Sequence, residues 1–417
     1  MIVLKLTAVV ILLLILINKK VNLGISLVIA SIAMVLLNGQ GPTDFLQALV
    51  TTVKEPLTYT MTFTILFISI MGYLMNRYHM LDRMIEHLEQ ILRSAKATIL
   101  LAPTIIGLLL VTGGALMSCP VVDKLGEKLK LPNDKRAAIN MIFRHGLYFA
   151  YPLSTNMILA AELGGFNIFN FISLTFPLTI VMFILGYFCL LKNVKDERPA
   201  KVSKSEYIGH IGGFLVHSSP ITVSIILTVI LGLPFHYTLP VGILTAIVVN
   251  FFDSKKNPQY AVPENPLALV VKGINMKTLY AIWGTLLFKS VIGNTSELAD
   301  FVSQMVKTGV PVELIVLVGV GILSFAMGNF QSSLAIIFPL IIPLASSQYE
   351  VMVFGYLMYA VGFLAYFTSP IHMCQILTLD YFKTSMKELY TNYKVFLPLL
   401  VVALIIWYFV LKMGVPA

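Results

Sequence analysis

The sequence predicts an all-α integral membrane protein with ten transmembrane crossings and two re-entrant helical hairpins, arranged as two inverted-topology repeats. Three observations carry this reading. Of the 417 residues, 58% are hydrophobic and only 12% charged, with a mean hydropathy of +0.87, whereas about 25% are charged in a soluble domain. Apolar runs of bilayer-spanning length follow one another along the chain. Two pairs of Gly- and Pro-broken segments recur at one spacing. Gly113 to Pro120 (GGALMSCP) precedes Pro152 to Asn156 (PLSTN), and Gly328 to Ala335 (GNFQSSLA) precedes Thr368 to His372 (TSPIH). Gly113 to Ser154 spans 41 positions, as does Gly328 to Ser369.

Taken in order, the first crossing is expected near 2–18. Its charges Lys19 and Lys20 follow the apolar run and no small-residue cleavage site is seen, so it reads as a retained anchor. Crossings near 21–37 and 58–75 come next, then a broken one near 139–161 and a fifth near 166–191. The second half offers 213–233, 236–252, 276–293, a broken 351–379, and 393–412. Segments 98–130 and 313–345 are apolar but interrupted midway by Gly and polar residues. Both fit hairpins that enter and leave the membrane on one side. The amphipathic stretches 79–95 and 296–307 read as interfacial helices beside them.

Charge placement supports this topology, because Lys and Arg near short loops stay cytoplasmic. With both termini outside, 23 of the 29 Lys and Arg fall on the cytoplasmic side. Lys5, Lys54, Lys307 and Lys412 fall outside, and Arg144 and Lys289 lie within spans. A full crossing by 98–130 would turn Lys124, Lys128, Lys130, Lys135 and Arg136 outward, so a hairpin is favoured. The net charge of +9 is thus explained by topology, and no basic helix interleaved with aromatics points to nucleic acid. Cys119, Cys189 and Cys374 lie in membrane segments without CxxC or metal-ligand spacing, which suggests three free thiols.

An offset of 215 positions relates the breaks of the two halves and carries span 21–37 onto 236–252. The domains are therefore repeat one (1–191), a cytoplasmic linker (192–212) and repeat two (213–417). Each half crosses five times, and an odd number inserts the halves with opposite orientation, as in many secondary transporters. The hairpin tips then meet near the midplane. Non-helical chain at membrane depth survives only inside protein or against water, so four matched breaks suggest one binding site. Gly and Pro that merely ease helix packing are the alternative.

A helix break exposes N–H groups at one end and C=O groups at the other, and so can bind an anion and a cation. Small hydroxyl and amide residues suit such a site. The candidates are Gly113, Gly114, Ser118, Gly328, Asn329, Gln331, Ser332 and Ser333 at the hairpin tips, with Ser154, Thr155, Asn156, Thr368 and Ser369 in the broken helices. A coupling Na+ could sit near Asn156 and Ser369. Hydroxyls bonded to their own helix carbonyls are the plainer reading. Arg144, at the start of the first broken helix, could hold a carboxylate bidentately, snorkel, or pair with Asp123. His372 could donate to an anion, take up the driving proton, or be structural. Lys289 could replace a coupling ion or snorkel to the outer interface. His217 reads as interfacial. No acidic residue sits at the membrane centre, since Glu162 and Asp380 fall at span ends.

Through GGALMSCPVVD at 113–123, FRH at 143–145 and SPIHMCQILT at 369–378, the chain resembles the DUF401 family of uncharacterised ten-helix proteins, within the ion transporter superfamily of gluconate, citrate and dicarboxylate carriers. The likeness covers nearly the whole chain. It implies a homodimer in which spans near 2–18, 21–37, 213–233 and 236–252 form a scaffold while the hairpin-bearing bundle slides as an elevator. Superfamily members often carry Ser-Asn-Thr in their tips. Met-Ser-Cys-Pro and Asn-Phe-Gln-Ser-Ser stand here instead, which leaves the coupling ion, Na+ or H+, open.

The expected function is secondary active transport of a small organic anion, a carboxylate, in a prokaryotic cytoplasmic membrane, with no further cofactor and with lipid as the surrounding partner. A cation/H+ antiporter would need a buried carboxylate. An intramembrane enzyme would need a nucleophile or metal cluster at matched helical spacing, such as HExxH. Neither is found.

Overall fold

Where lipid offers no hydrogen-bond partner, the backbone must satisfy itself, and helices do so within one segment. The computed structural model describes residues 2–19, 21–108, 114–196, 203–293 and 296–415, and every regular element among them is helical. The first half contains α1 (Ile2–Asn18), α2 (Leu23–Leu37), α3 (Pro42–Lys54), α4 (Pro56–Arg77), α5 (Met80–Leu92), α6 (Ala95–Gly107), α7 (Gly114–Lys128), α8 (Asn133–Arg144), α9 (Thr155–Gly164) and α10 (Ile168–Gly186), which runs into a π-turn at Tyr187–Leu191. The second half contains α11 (Lys204–Leu231), α12 (Phe235–Lys256), α13 (Pro266–Lys272), α14 (Met276–Gly293), α15 (Ser296–Lys307), α16 (Val312–Met327), α17 (Gln331–Ile341), α18 (Gln348–Phe367), α19 (Met373–Phe382) and α20 (Met386–Lys412). Part of the expected linker, residues 197–202, lies outside the described residues.

Local chemistry sets many of the starts. Asn22 accepts from the Gly24 amide at 2.8 Å, Ser94 from Ala97 at 3.0 Å, and Asn167 from Phe169 at 2.8 Å. Ser203 with Glu206, and Ser385 with Glu388, form reciprocal capping boxes at α11 and α20.

Among the described residues, six helices are long and apolar enough to cross a bilayer: α4, α10 with its π-turn, α11, α12, α18 and α20. The chain is a multi-pass membrane protein. The crossings expected near 2–18 and 21–37 are the shorter α1 and α2, of 17 and 15 residues. The crossing expected at 139–161 is the two short helices α8 and α9 with non-helical chain at 145–154 between them. Helix length alone therefore does not carry ten crossings. Helices α6 and α7, of 13 and 15 residues, and α16 and α17, of 16 and 11, pack as pairs. At about 1.5 Å per residue each falls short of the roughly 30 Å hydrocarbon core.

Helices α3 and α13 were not foreseen. Polar residues interrupt α3 and α13 is only seven residues long, so neither registers as a spanning apolar run, yet α3 packs on α14 and buries Ala48 and Thr52. Helix α5 buries Met80, Leu81, Met84, Ile85 and Leu88, a helical-period face lying against α6 and α11. On the loop side of α4, Arg77 grips Glu264 at 2.7 and 2.9 Å and holds that carboxyl below its usual range.

The helices sort into two groups. In one, α2 packs on α1 and α14, and α12 on α4 and α11. In the other, α6, α7, α8, α19 and α20 adjoin α9, α10, α16, α17 and α18, and contacts of α14 with α17 and of α4 with α9 join the two groups. The α2–α14 crossing depends on small residues: a Cβ on Gly24 would stand 2.0 Å from the Tyr280 carbonyl oxygen, and one on Gly284 2.4 Å from that of Gly24. Gly24→Leu is expected to lower the thermal unfolding midpoint sharply, by an overpacking cost of about 3 kcal/mol. Gly209→Leu, at a position with nothing within 4 Å, is the control and is expected to unfold with wild type.

Candidate functional site

The break between α8 and α9 is a complete structure of its own. Arg144 ends α8 rather than beginning a helix, and Ser154 precedes α9, so the unwound stretch is 145–154 and not the expected 152–156. Its backbone groups, and those at the end of α8, find partners in the protein. Thr104 Oγ1 donates to the Phe143 carbonyl (2.8 Å), Tyr359 OH to that of Tyr148 (2.8 Å), and Thr175 Oγ1 to that of Phe149 (2.6 Å). The second break matches expectation at 368–372, where Tyr390 OH donates to the Thr368 carbonyl (2.6 Å).

The tip of the second hairpin is shorter than expected: only 328–330 is non-helical, and Gln331 to Ala335 lie in α17. Gly328 turns the chain at φ +56°, a left-handed conformation that disfavours other residues, and its Cα side faces the Ile371 carbonyl, 2.9 Å from where a Cβ would stand. Phe330 is fully buried against Tyr148, Tyr359 and Tyr366, with ring centres 6.3, 5.2 and 5.6 Å away. In the first hairpin, Gly113 lies outside the described residues. Gly114 opens α7, so Gly114 to Pro120 are helical rather than unwound.

These elements enclose a cavity of about 160 Å³. Its wall includes Arg144, Ser154, Thr155 and Asn156 from the first break and Asn329, Phe330 and Gln331 from the second hairpin tip. Gly107 and Leu108 at the end of α6, and Tyr148, Tyr151 and Tyr366, complete much of the rest. Six expected site residues thus meet in one wall. The N-termini of α9 and α17 both open here, and neither Ser154 nor Phe330 caps its helix with a side chain. Exposed amide groups at two helix starts place partial positive charge on the cavity. Asn329 Oδ1 accepts from the Gln331 amide at 2.8 Å, while the buried Gln331 Nε2 and Asn156 Oδ1 have no protein partner.

Arg144 supplies the full charge. It is 7% exposed, and its one polar contact among the described residues is a long 3.5 Å approach of Nη1 to Ser118 Oγ. The pairing with Asp123 that the sequence left open does not form: Asp123 binds Arg136 at 2.7 Å. Among the described residues, the cavity wall contains no Asp or Glu. Electrostatically, such an arrangement favours an anion over a cation.

The other candidates stand elsewhere. Ser118, buried in α7, donates to the Ala115 carbonyl at 3.1 Å. Ser333 is committed to Ser324 (2.6 Å) and to the Phe330 carbonyl, and Ser332 is buried without a partner. Thr368 bonds back to Leu364, and Ser369 Oγ donates to the Phe325 carbonyl at 2.6 Å, fastening the second break to α16. Of the Asn156 and Ser369 pair proposed for Na+, only Asn156 is in the cavity wall. His372 lies behind the wall, packed on Tyr366 with ring centres 3.9 Å apart and planes tilted by 39°. Lys289 pairs with Glu55 at 2.6 Å. His217 is buried, its Nδ1 on the Gly213 carbonyl and its Nε2 3.5 Å from Asp253.

The family model for the protein of unknown function DUF401 matches residues 1–413. The chain belongs to the DUF401 family. No curated protein is significantly similar to this DUF401 chain. Among solved structures it is similar to the Alcanivorax borkumensis YdaH transporter, whose crystal structure reveals an unusual topology, with a TM-score of 0.57, 14% identity, and coverage of 89% of this chain and 87% of that one. The two share a fold.

Several site residues of this DUF401 protein escaped sequence reasoning. Tyr148 and Tyr151 sit in an apolar stretch that reads as continuous helix, and Tyr366 reads as one more aromatic in a span. Gly107 carries a clearer mark, since a Cβ there would stand 2.3 Å from the Arg144 carbonyl oxygen, but that contact needs the fold to be seen. Asn140, fully buried, ties α8 to α19 through Thr378 at 3.0 Å.

Proposed function

We propose that this protein is a secondary active transporter of a small organic anion, a carboxylate, coupled to Na+ or H+ and working by an elevator-type alternating-access mechanism. The observation that carries the reading is the cavity where two helix N-termini and the carboxylate-free guanidinium of Arg144 face one space. A carboxylate there would receive the planar fork of Arg144 and amide donors from the α9 and α17 starts. The fold shared with the YdaH transporter supports transport over enzymatic chemistry.

Repeats 1–191 and 213–417 are supported by the element order. The 215-position offset carries α5 (Met80–Leu92) onto 295–307, where α15 (Ser296–Lys307) lies, and α9 (Thr155–Gly164) onto 370–379, where α19 (Met373–Phe382) lies. Opposite insertion of two such halves, ten crossings and both termini outside in a prokaryotic cell membrane follow from five crossings per half and the placement of Lys and Arg. A homodimer through α1, α2, α11 and α12 fits the exposed apolar faces of α11 and α12, among them Ile226, Ile230, Leu244 and Val248. Cation/H+ antiport is disfavoured by a cavity wall without a carboxylate.

Proteoliposome uptake or solid-supported membrane currents across a panel of mono-, di- and tricarboxylates, with and without Na+ and proton gradients, test this. At least one carboxylate should give a saturable, gradient-dependent signal. Silence across the panel, with current carried by Na+ or H+ alone, would overturn the assignment.

A further inference from the structure

Behind the tyrosine wall of the cavity, the two breaks come into contact through residues that anion binding does not use. His145 begins the first break and His372 ends the second, with ring centres 5.0 Å apart in an edge-on arrangement, and each residue is 1% exposed. Cys374 follows in the first turn of α19. One ring nitrogen from each histidine and the Cys374 sulfur all lie within 4.8 Å of one another.

The hydrogen bonding leaves these atoms open. His145 Nδ1 is 2.7 Å from the Met141 carbonyl, which makes Nδ1 the N–H donor and leaves Nε2 with a free lone pair. A metal-ligating histidine is oriented in this way. Both ring nitrogens of His372 are buried without a well-formed hydrogen bond, and a buried polar atom without a partner asks for one.

We propose that His145, His372 and Cys374 form a three-coordinate site for a soft monovalent metal ion of the cuprous class, clamping the two breaks together. Ligand bonds of about 2.0–2.3 Å bring ligand atoms to roughly 3.5 Å from one another, a contraction that side-chain rotation supplies. Thiolate with imidazole selects soft ions. Charge decides between Cu+ and Zn2+. The ion displaces the thiol proton, which leaves to water, so Cu+ with thiolate keeps the site's net charge unchanged. Zn2+ with a single thiolate would add a positive charge beside Arg144 inside the protein, where an unpaired charge is expensive. No carboxylate belongs to the cluster.

The site is tested under anaerobic conditions on purified full-length protein, with the cuprous bicinchoninate complex as donor. Wild type should take up one Cu+ per chain, with X-ray absorption showing both nitrogen and sulfur neighbours. Cys374→Ser and His372→Gln should each lower the retained copper at least tenfold while eluting as wild type. In unmutated protein, Cu+ or Ag+ should protect Cys374 but not Cys189 from maleimide, so the test does not depend on the variants folding. No copper uptake by wild type, equal protection of both cysteines, or full retention by both variants through methionine sites would overturn the proposal.

Discussion

Arg144→Gln is expected to abolish carboxylate uptake while the protein still inserts and folds. Among the described residues its guanidinium stands at a cavity without Asp or Glu and makes one polar contact, to Ser118 at 3.5 Å, so little of the described structure depends on its charge. A bound carboxylate depends on it almost wholly. Loss of a desolvated, charge-assisted pair costs about 3 kcal/mol, or roughly a hundredfold in apparent affinity. Arg144→Lys keeps the charge and loses the planar fork, so it should retain part of the uptake with a raised KM. Uptake at matched protein density in proteoliposomes, with elution profiles as the folding control, measures both. Wild-type kinetics in Arg144→Gln would remove the anion site from this cavity.

Phe330→Ala should produce the largest loss of stability at the hairpin tip and a comparable loss of transport. Phe330 is 1% exposed and wedges between Tyr148, Tyr359 and Tyr366, while its chain neighbours Asn329 and Gln331 face the cavity. Truncating a buried phenylalanine costs about 3–5 kcal/mol. The tip would then lose the anchor that aims the start of α17 at the bound anion. Phe409→Ala, at a ring 55% exposed on the outer face of α20, removes the same volume and should leave both thermal unfolding and uptake near wild type. Equal effects of the two substitutions would show that the wedge has no special role.

Much of this arrangement was legible in the chain. Apolar and amphipathic runs located many helices closely: the apolar 276–293 is α14, and the amphipathic 296–307 is α15. The Gly- and Pro-broken segments located the second break at 368–372, because those residues mark where backbone geometry changes, whereas the first begins at 145, about two turns before the expected 152. The boundaries slipped where polar residues continue a helix. Ser118 and Ser333 are polar, small and close to a tip, yet both lie inside helices and bond within them, as hydroxyls in membrane helices commonly do. Tyr148 and Tyr151 failed in the opposite sense, since aromatics in an apolar run give no signal that the chain has left the helix.

Arg144 was found because an ionisable group in an apolar run is conspicuous, but its freedom from Asp123 was not readable from spacing. That depends on Arg136 reaching Asp123 first, at 2.7 Å. The contact of His145 with His372 was equally hidden. More than two hundred positions separate the two residues, and only the fold brings the breaks together.

The most direct test of the central claim is a structure determined with a transported carboxylate bound. The anion is expected in the cavity between Arg144 and the starts of α9 and α17, with its oxygens within hydrogen-bonding distance of the guanidinium and of Asn156 or Gln331. Density for the anion in the separate cleft lined by Glu162, Asn167 and Thr228, with the Arg144 cavity holding only water, would contradict the account.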